Sequence, residues 1–191
     1  MSILEGKECY IMSQLQEKRK NSLALSFQEL LRSEPLEKIT VEQICRKADV
    51  HRSTFYRYFQ DKYDLLRYAF EHFLIARIDE EDLIGSTISM ISKEKQLFRN
   101  ISVNNDSSFL LWQMLEMLSE RLLVSAKNGK LESTPWLARE LNSSQYPQLA
   151  ADMVAGAFLT LLYKWINSNY QMEPKQLANF LGQLGKTEWN I

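Results

Sequence analysis

The sequence predicts an all-α protein. Apolar residues recur at intervals of three and four along nearly the whole chain, and no segment alternates apolar and polar residues between hairpin turns. The 191 residues are 45% hydrophobic and 25% charged, with 6 Gly and 4 Pro, which is typical of a globular protein with a substantial core. We therefore expect one helical domain, or one domain and a small module.

Three helices are predicted within the first 60 residues. The first spans about residues 14–32 and ends before Pro35, which cannot continue a helix. Thr40 and Gln43 then fit a capping box, in which each side chain bonds the backbone amide of the other residue. The helix that begins there must be short, because a third helix over residues 52–58 follows after a tight turn.

The rest of the chain is predicted to form a connecting helix and a larger helical domain. Asp61 caps the connecting helix, and the acidic run from Asp79 to Asp82 marks its end. We divide the chain into an N-terminal extension (1–13), a module of three helices (14–60), the connecting helix (61–78) and a C-terminal domain (79–191). Further helices are predicted at 83–93, 95–101, 108–127, 136–141, 146–169 and 173–185.

A basic and aromatic segment lies within a nearly neutral chain. The formal net charge is −1, which argues against a uniformly basic surface for nucleic acid. The segment 46–62, however, carries more cations than carboxylates, and aromatic residues stand among them. The cations are Arg46, Lys47, Arg52, Arg57 and Lys62, and the aromatic residues are Phe55, Tyr56, Tyr58 and Phe59.

Two short helices joined by a tight turn, with the second basic and aromatic, predict a helix-turn-helix whose second helix enters the major groove of DNA. Cys45 is small enough for close crossing of the helices, and Asp49 can adopt the positive φ that the turn needs. Val50 and Phe55 would fill the space between them. A helical hairpin with a solvated basic face is the alternative. The outward residues suited to phosphate and base edges are Arg52, Ser53, Tyr56 and Arg57.

The segment from Thr40 to Leu66 closely resembles the DNA-binding segment of TetR-family transcriptional regulators. It reads TVEQICRKADVHRSTFYRYFQDKYDLL and includes the Thr-Phe-Tyr-x-Tyr-Phe-x-x-Lys core. The resemblance covers about residues 14–75. Residues 98–109 and 154–166 also resemble the C-terminal domain of a TetR subgroup that includes the DhaS-type regulators.

The resemblance implies a homodimer that binds a pseudo-palindromic double-stranded DNA operator, usually to repress transcription, and whose C-terminal domain often binds a small effector. It implies that Thr40 lies beside a phosphate and that Lys62 reaches the DNA backbone. A DhaS-like co-activator acting with a partner protein, and a helical adaptor without operator binding, are the alternatives. The implied DNA-binding residues are Thr40, Arg52, Ser53, Thr54, Tyr56, Arg57, Tyr58 and Lys62.

Two residues depart from the family pattern. His51 stands where the family often has a Ser-type cap, and Asp49 replaces the usual Gly. Asp49 also brings a negative charge to the DNA-facing side, so we leave it out of the expected contacts.

The last two helices are predicted to pair across a two-fold axis as a four-helix bundle. Small residues at 155–157 would allow close helix approach. The alternative is that these apolar faces close the core of the monomer. The predicted interface residues are Phe158, Leu162, Ile166, Leu177, Phe180, Leu181 and Leu184.

Other classes of function find little support in the sequence. His51 and His72 are the only histidines, and neither a metal-ligand cluster, a catalytic triad nor a Gly-rich phosphate loop can be assembled, so we expect no enzyme, cofactor or metal site. The apolar stretch 153–166 contains Lys164, and the N-terminus has no secretory pattern, so we expect a cytoplasmic protein that does not span a membrane.

Large apolar side chains of the second domain could line an effector site, but residues of this type at helical spacing are more often core. The sequence names no individual pocket residue. The set is Phe109, Trp112, Met114, Met117, Trp136, Tyr163 and Trp165.

Overall fold

The computed structural model describes residues 3–79, 81–102, 108–131 and 134–184, and for 3–11, 108–110 and 184 it describes the backbone alone. These residues form ten α-helices and no strand, which confirms the predicted all-α class. The helices are α1 (Ile3–Leu31), α2 (Val41–Lys47), α3 (Arg52–Tyr58), α4 (Lys62–Ala69), α5 (Leu83–Lys93), α6 (Lys95–Ser102), α7 (Ser108–Lys127), α8 (Pro135–Ser143), α9 (Pro147–Asn167) and α10 (Pro174–Leu184).

The helix starts follow the capping signals in the sequence. The hydroxyl of Thr40 accepts from the amide of Gln43 at 3.2 Å, and Oε1 of Gln43 accepts from the amide of Thr40 at 2.7 Å, so α2 begins with a complete capping box. Asp61 accepts from two backbone amides at the start of α4, at 2.8 and 2.9 Å. Only α1 differs greatly from prediction. It begins at Ile3 instead of residue 14, and no proline interrupts residues 3–31.

The connecting helix changes its hydrogen-bond pattern along its length. After α4, residues Phe70–Leu74 form a π-helical turn and residues Ile75–Arg77 form a 3-10 turn. A π turn is a local widening of a helix and often occurs at functional sites. The predicted helix over 61–78 is therefore one continuous element with a distorted second half.

The main hydrophobic core runs from the helix-turn-helix into the C-terminal helices. It joins buried residues of α1–α4 with residues of α5, α6, α9 and α10, while a second cluster fills the space between α7, α8 and α9. Nδ2 of Asn100 donates to the carbonyl of Leu31 at 2.8 Å, and Arg32 forms two bonds to Glu94 at 2.8 and 2.9 Å. These contacts fix the C-terminal end of α1 against α5 and α6.

The apolar faces of α9 and α10 that were assigned to a dimer interface lie mostly inside the monomer. Leu162, Ile166, Leu177 and Leu181 are 4–7% exposed and belong to the main core. This packing is the one that the alternative describes, and pairing of these residues across a two-fold axis stays a prediction. Phe158 is half-buried against the same core.

Of the other predicted interface residues, Phe180 is 42% exposed and points away from the core. The side chain of Leu184 lies outside the described residues. The sequence does not distinguish the two arrangements, because α9 is apolar on nearly every side and its sequence period does not separate inward from outward faces.

Helix α9 carries a second apolar face that the monomer leaves uncovered. By length and composition the helix could cross a membrane, although core helices pass the same test, and only 28% of its most apolar window is buried. Leu149, Met153 and Tyr163 are 66%, 70% and 49% exposed. Their spacing, with Gly156 and Thr160 between them, alternates four and three residues and so follows one stripe along the helix.

Candidate nucleic-acid interface

The turn between α2 and α3 has the geometry that the sequence predicts. Asp49 adopts a φ of 53°, in the left-handed region, and the amide of Val50 donates to the carbonyl of Cys45 at 3.0 Å. This bond spans five residues and is the closing bond of a Schellman motif, in which the residue at positive φ reverses the chain. Asp49 therefore performs the structural role that Gly usually fills, and α3 begins three residues later.

Aromatic packing fixes the orientation of α3. Phe55 is fully buried, and its ring centroid lies 5.8 Å from that of Phe59, which in turn lies 5.4 Å from the ring of Tyr68 on α4. Cys45 of α2 is 3% exposed beneath the same helix, and burial raises the pKa of its thiol. A small neutral side chain at this position allows α2 and α3 to cross closely.

The outer face of α3 presents polar and cationic side chains together. Arg52, Ser53, Tyr56 and Arg57 are all exposed, as the spacing predicts. Nη2 of Arg52 donates to the hydroxyl of Tyr56 at 3.4 Å, and this bond raises the pKa of Arg52. The face can offer guanidinium groups to phosphates or guanine edges, a hydroxyl to either, and an aromatic ring to a thymine methyl group.

The remaining predicted contact residues lie around this face. Thr40 is exposed at the start of α2, whereas Thr54 and Tyr58 are half-buried on the sides of α3. His51 precedes α3, and within the described part of the chain its side chain makes no capping hydrogen bond.

Lys62 is the predicted contact that the structure places differently. Its ammonium donates to the carbonyls of Leu36 at 2.7 Å, Ile39 at 3.0 Å and Glu37 at 3.2 Å, and the side chain is half-buried. Desolvation lowers its pKa. The sequence does not predict this arrangement, because the acceptors are backbone carbonyls more than 20 residues away. Every residue type carries such a carbonyl, so the side chains of the turn give no indication of the contact.

Comparison with known proteins identifies the segment that carries this geometry. Residues 28–69 match the family model described as bacterial regulatory proteins, tetR family. These residues form the DNA-binding domain of a TetR-family transcriptional regulator. The matched residues include the end of α1, all of α2 and α3, and α4, so they contain the whole helix-turn-helix.

The whole regulator also resembles a solved structure in its fold. The structure entitled dihydroxyacetone kinase operon activator DhaS superposes with a TM-score of 0.57 at 19% sequence identity, covering 88% of this chain and 96% of that chain. No curated protein matches the sequence. At this identity the likeness concerns the fold.

The regulator has an apolar cavity of about 130 Å³ in its C-terminal half. The π turn after α4 forms one wall, and α5, α6, α7 and α9 form the others. Thr87 reaches the cavity wall from α5, where its hydroxyl is buried and finds no hydrogen-bond partner among the described residues. Lining residues include Phe70, Leu74, Met90, Phe98, Met114 and Phe158.

The large apolar side chains that the sequence offers as possible lining of an effector site lie in several environments. Met114, Met117 and Tyr163 line the cavity, whereas Trp165 is buried and its indole donates to the carbonyl of Met172 at 2.8 Å. Trp112 is 65% exposed. Trp136 packs in the second core cluster, and the side chain of Phe109 lies outside the described residues. No metal-binding group of three or more His, Cys, Asp or Glu residues occurs among the residues described.

Proposed function

We propose that this regulator is a homodimeric repressor that reads its operator with α3. The exposed face formed by Arg52, Ser53, Tyr56 and Arg57 carries the proposal, because it lies on a helix held rigidly by Phe55 and preceded by a helix-turn-helix turn. In this proposal Arg57 meets a base edge, and Thr40, Ser53 and Arg52 contact phosphates. Thr54, Tyr56 and Tyr58 complete the contact surface. We propose no catalytic activity and no cofactor, and a cytoplasmic site of action.

Dimerisation follows from the small size of the reading element. Helix α3 has seven residues, which at 1.5 Å per residue is about 10 Å and covers only a few base pairs. Two copies related by a two-fold axis would read successive major grooves. We assign the exposed stripe of Leu149, Met153 and Tyr163 to the subunit contact, because the monomer leaves these side chains uncovered.

We further propose that a small molecule enters the cavity behind the π turn. A volume of about 130 Å³ approaches that of cavities that bind benzene, and apolar side chains make up most of the walls. The unpartnered Thr87 hydroxyl favours a ligand with one hydrogen-bonding group on an otherwise apolar body. A thermal-shift screen of such compounds, repeated with Thr87→Val, tests this part: ligands that depend on the polar group should lose their effect in the variant.

Activation of transcription with a partner protein is the second candidate. The fold likeness to a protein entitled an operon activator favours it. A reporter gene placed behind the selected operator distinguishes the candidates, because deletion of the regulator raises expression under repression and lowers it under activation. If the protein is an adaptor without operator binding, its deletion should leave expression of the reporter gene unchanged.

Selection of duplexes from a random library with the wild-type protein tests operator binding directly. Arg57→Ala should then weaken binding to the selected duplex by about 1–3 kcal/mol and relax the base preference at one position of each half-site. Arg139→Ala, which removes an exposed guanidinium from α8, is the matched control and should bind as the wild type does. Failure of the wild type to select any sequence, or equal binding by the Arg57 and Arg139 variants, would contradict the proposal.

A further inference from the structure

Lys62 lies at the junction between the helix-turn-helix and the connecting helix. It is the first residue of α4, and its side chain reaches back to a 3-10 turn formed by Leu36–Lys38. All three ammonium hydrogens have backbone acceptors there, at 2.7, 3.0 and 3.2 Å. Because an ammonium group has only three donors, none remains directed at solvent or at an approaching phosphate.

The three carbonyls belong to a turn that directly precedes Thr40. Ile39 is 1% exposed and Leu36 is fully buried, so the turn is anchored in the core on one side and by Lys62 on the other. The next residue, Thr40, opens α2 through its capping box. The position of Lys62 thus bears on where α2 starts and, through the turn at Asp49, on where α3 points.

The environment of Lys62 suits a buried clamp better than a surface contact. The side chain is half-buried, and desolvation lowers the pKa of its amine while the surrounding carbonyl dipoles favour the charged form. A compact ammonium can meet three carbonyls that converge on one point, whereas the planar fork of an Arg cannot. Lys38, in the same turn, is exposed by contrast and provides a matched lysine.

We propose that Lys62 is a positioning residue for operator binding, which clamps the turn before Thr40 onto α4 and so sets the placement of α2 and α3, without itself contacting a phosphate. The proposal rests on the operator binding proposed above. It differs from the DNA-backbone contact that resemblance to the family implies for this residue.

Two substitutions separate a clamp from a phosphate contact. Lys62→Met removes the charge and the donors, and Lys62→Arg keeps the charge but loses the convergent geometry. For a clamp, both variants should bind the selected operator at least about tenfold more weakly than the wild type, which is about 1.4 kcal/mol or more of binding free energy. Binding to a scrambled duplex should change little, and the salt dependence of operator binding should keep its slope.

A phosphate contact predicts a different pattern. Lys62→Arg would then bind the operator like the wild type. Lys62→Met would make the negative slope of log K against log salt shallower by about 0.9 per subunit. That pattern would overturn the proposal, as would wild-type operator affinity in both variants. Lys38→Met should leave affinity, slope and melting temperature unchanged.

Hydrogen exchange on the DNA-free proteins supplies a readout that needs no operator. In Lys62→Arg, amides of residues 36–43 should exchange faster, while those of α5 and α6 keep their protection. Equal protection at 36–43 would overturn the clamp even if Lys62→Met fails to fold. Because the operator is selected with the wild type, failure of the proposed function appears as no selected sequence, before any variant is measured.

Discussion

The exposed stripe on α9 gives the sharpest prediction about assembly. We expect the double substitution Leu149→Glu and Met153→Glu to convert a dimer into a folded monomer. Both side chains lie on the solvent side of α9, at 66% and 70% exposure, so the monomer core does not depend on them. Their replacement places four carboxylates at the proposed contact, because each residue occurs twice across a two-fold axis.

The size of the effect follows from the apolar surface involved. Full burial of a Leu or Met side chain contributes about 1.5–3 kcal/mol, and roughly two thirds of each of the four side chains is free to be buried by the partner. The lost contribution is therefore about 4–8 kcal/mol, which weakens association by roughly three to six powers of ten. Desolvation of the introduced carboxylates would add to this loss.

Sedimentation velocity over a concentration series measures the outcome, with circular dichroism to verify that the variant stays helical. Leu25→Glu is the matched control, since Leu25 is 46% exposed on α1, and it should remain dimeric. Leu162→Glu should lose helicity, because Leu162 is 6% exposed in the main core. A wild-type protein that is monomeric at every concentration, or a double variant that dimerises as tightly as the control, would refute the reasoning.

Three further predictions concern stability. Asp49→Gly should raise the free energy of unfolding by a few tenths to about 1 kcal/mol in urea titrations, because Gly adopts the observed φ of 53° without strain, whereas Asp49→Ala should lower it. Phe55→Ala should cost about 3–5 kcal/mol by the same measurement, because the ring is fully buried. The hydrogen bond from Arg32 lowers the pKa of Glu94 below 4.5, so its stabilisation is present above that pH and is lost as the pH falls through the lowered pKa. Glu94→Gln should therefore lower the free energy of unfolding at pH 7 by less than about 1 kcal/mol at this partly exposed pair, and the loss should shrink as the pH falls through the lowered pKa of Glu94.

The helix-turn-helix could be predicted from sequence because its determinants are local. The capping box at Thr40 and Gln43, the positive φ at Asp49 and the buried ring of Phe55 each lie within a few residues of the element they define. The capping, turn and charge signals all indicate the same motif, and this agreement makes the motif recognisable from sequence. The outward face of α3 followed directly, since burying Phe55 leaves Arg52, Ser53, Tyr56 and Arg57 outside.

The contacts that sequence reasoning missed are not local. Whether Leu162 or Met153 faces the core depends on which side of α9 meets α6, α7 and α8, and a helix that is apolar nearly all round carries no such information. Lys62 presents a similar case, because its partners are backbone carbonyls that any sequence would offer. The sequence assigns this cation to DNA because it lies beside the motif, whereas in the structure its ammonium donates to three backbone carbonyls.

Helix α4 and its distorted extension connect the two places where this regulator is expected to bind something. Lys62 at one end holds the turn before the helix-turn-helix, and Phe70 and Leu74 at the other end form part of the cavity wall. Leu74 lies twelve positions after Lys62, which is about 18 Å at 1.5 Å per residue. A π turn departs from α geometry by one residue per turn, so a ligand that favoured regular α geometry there would shift Lys62 relative to the core by about one residue's rise. A displacement of that size exceeds what three hydrogen bonds of 2.7–3.2 Å can absorb, and the clamp would have to move with the helix or break.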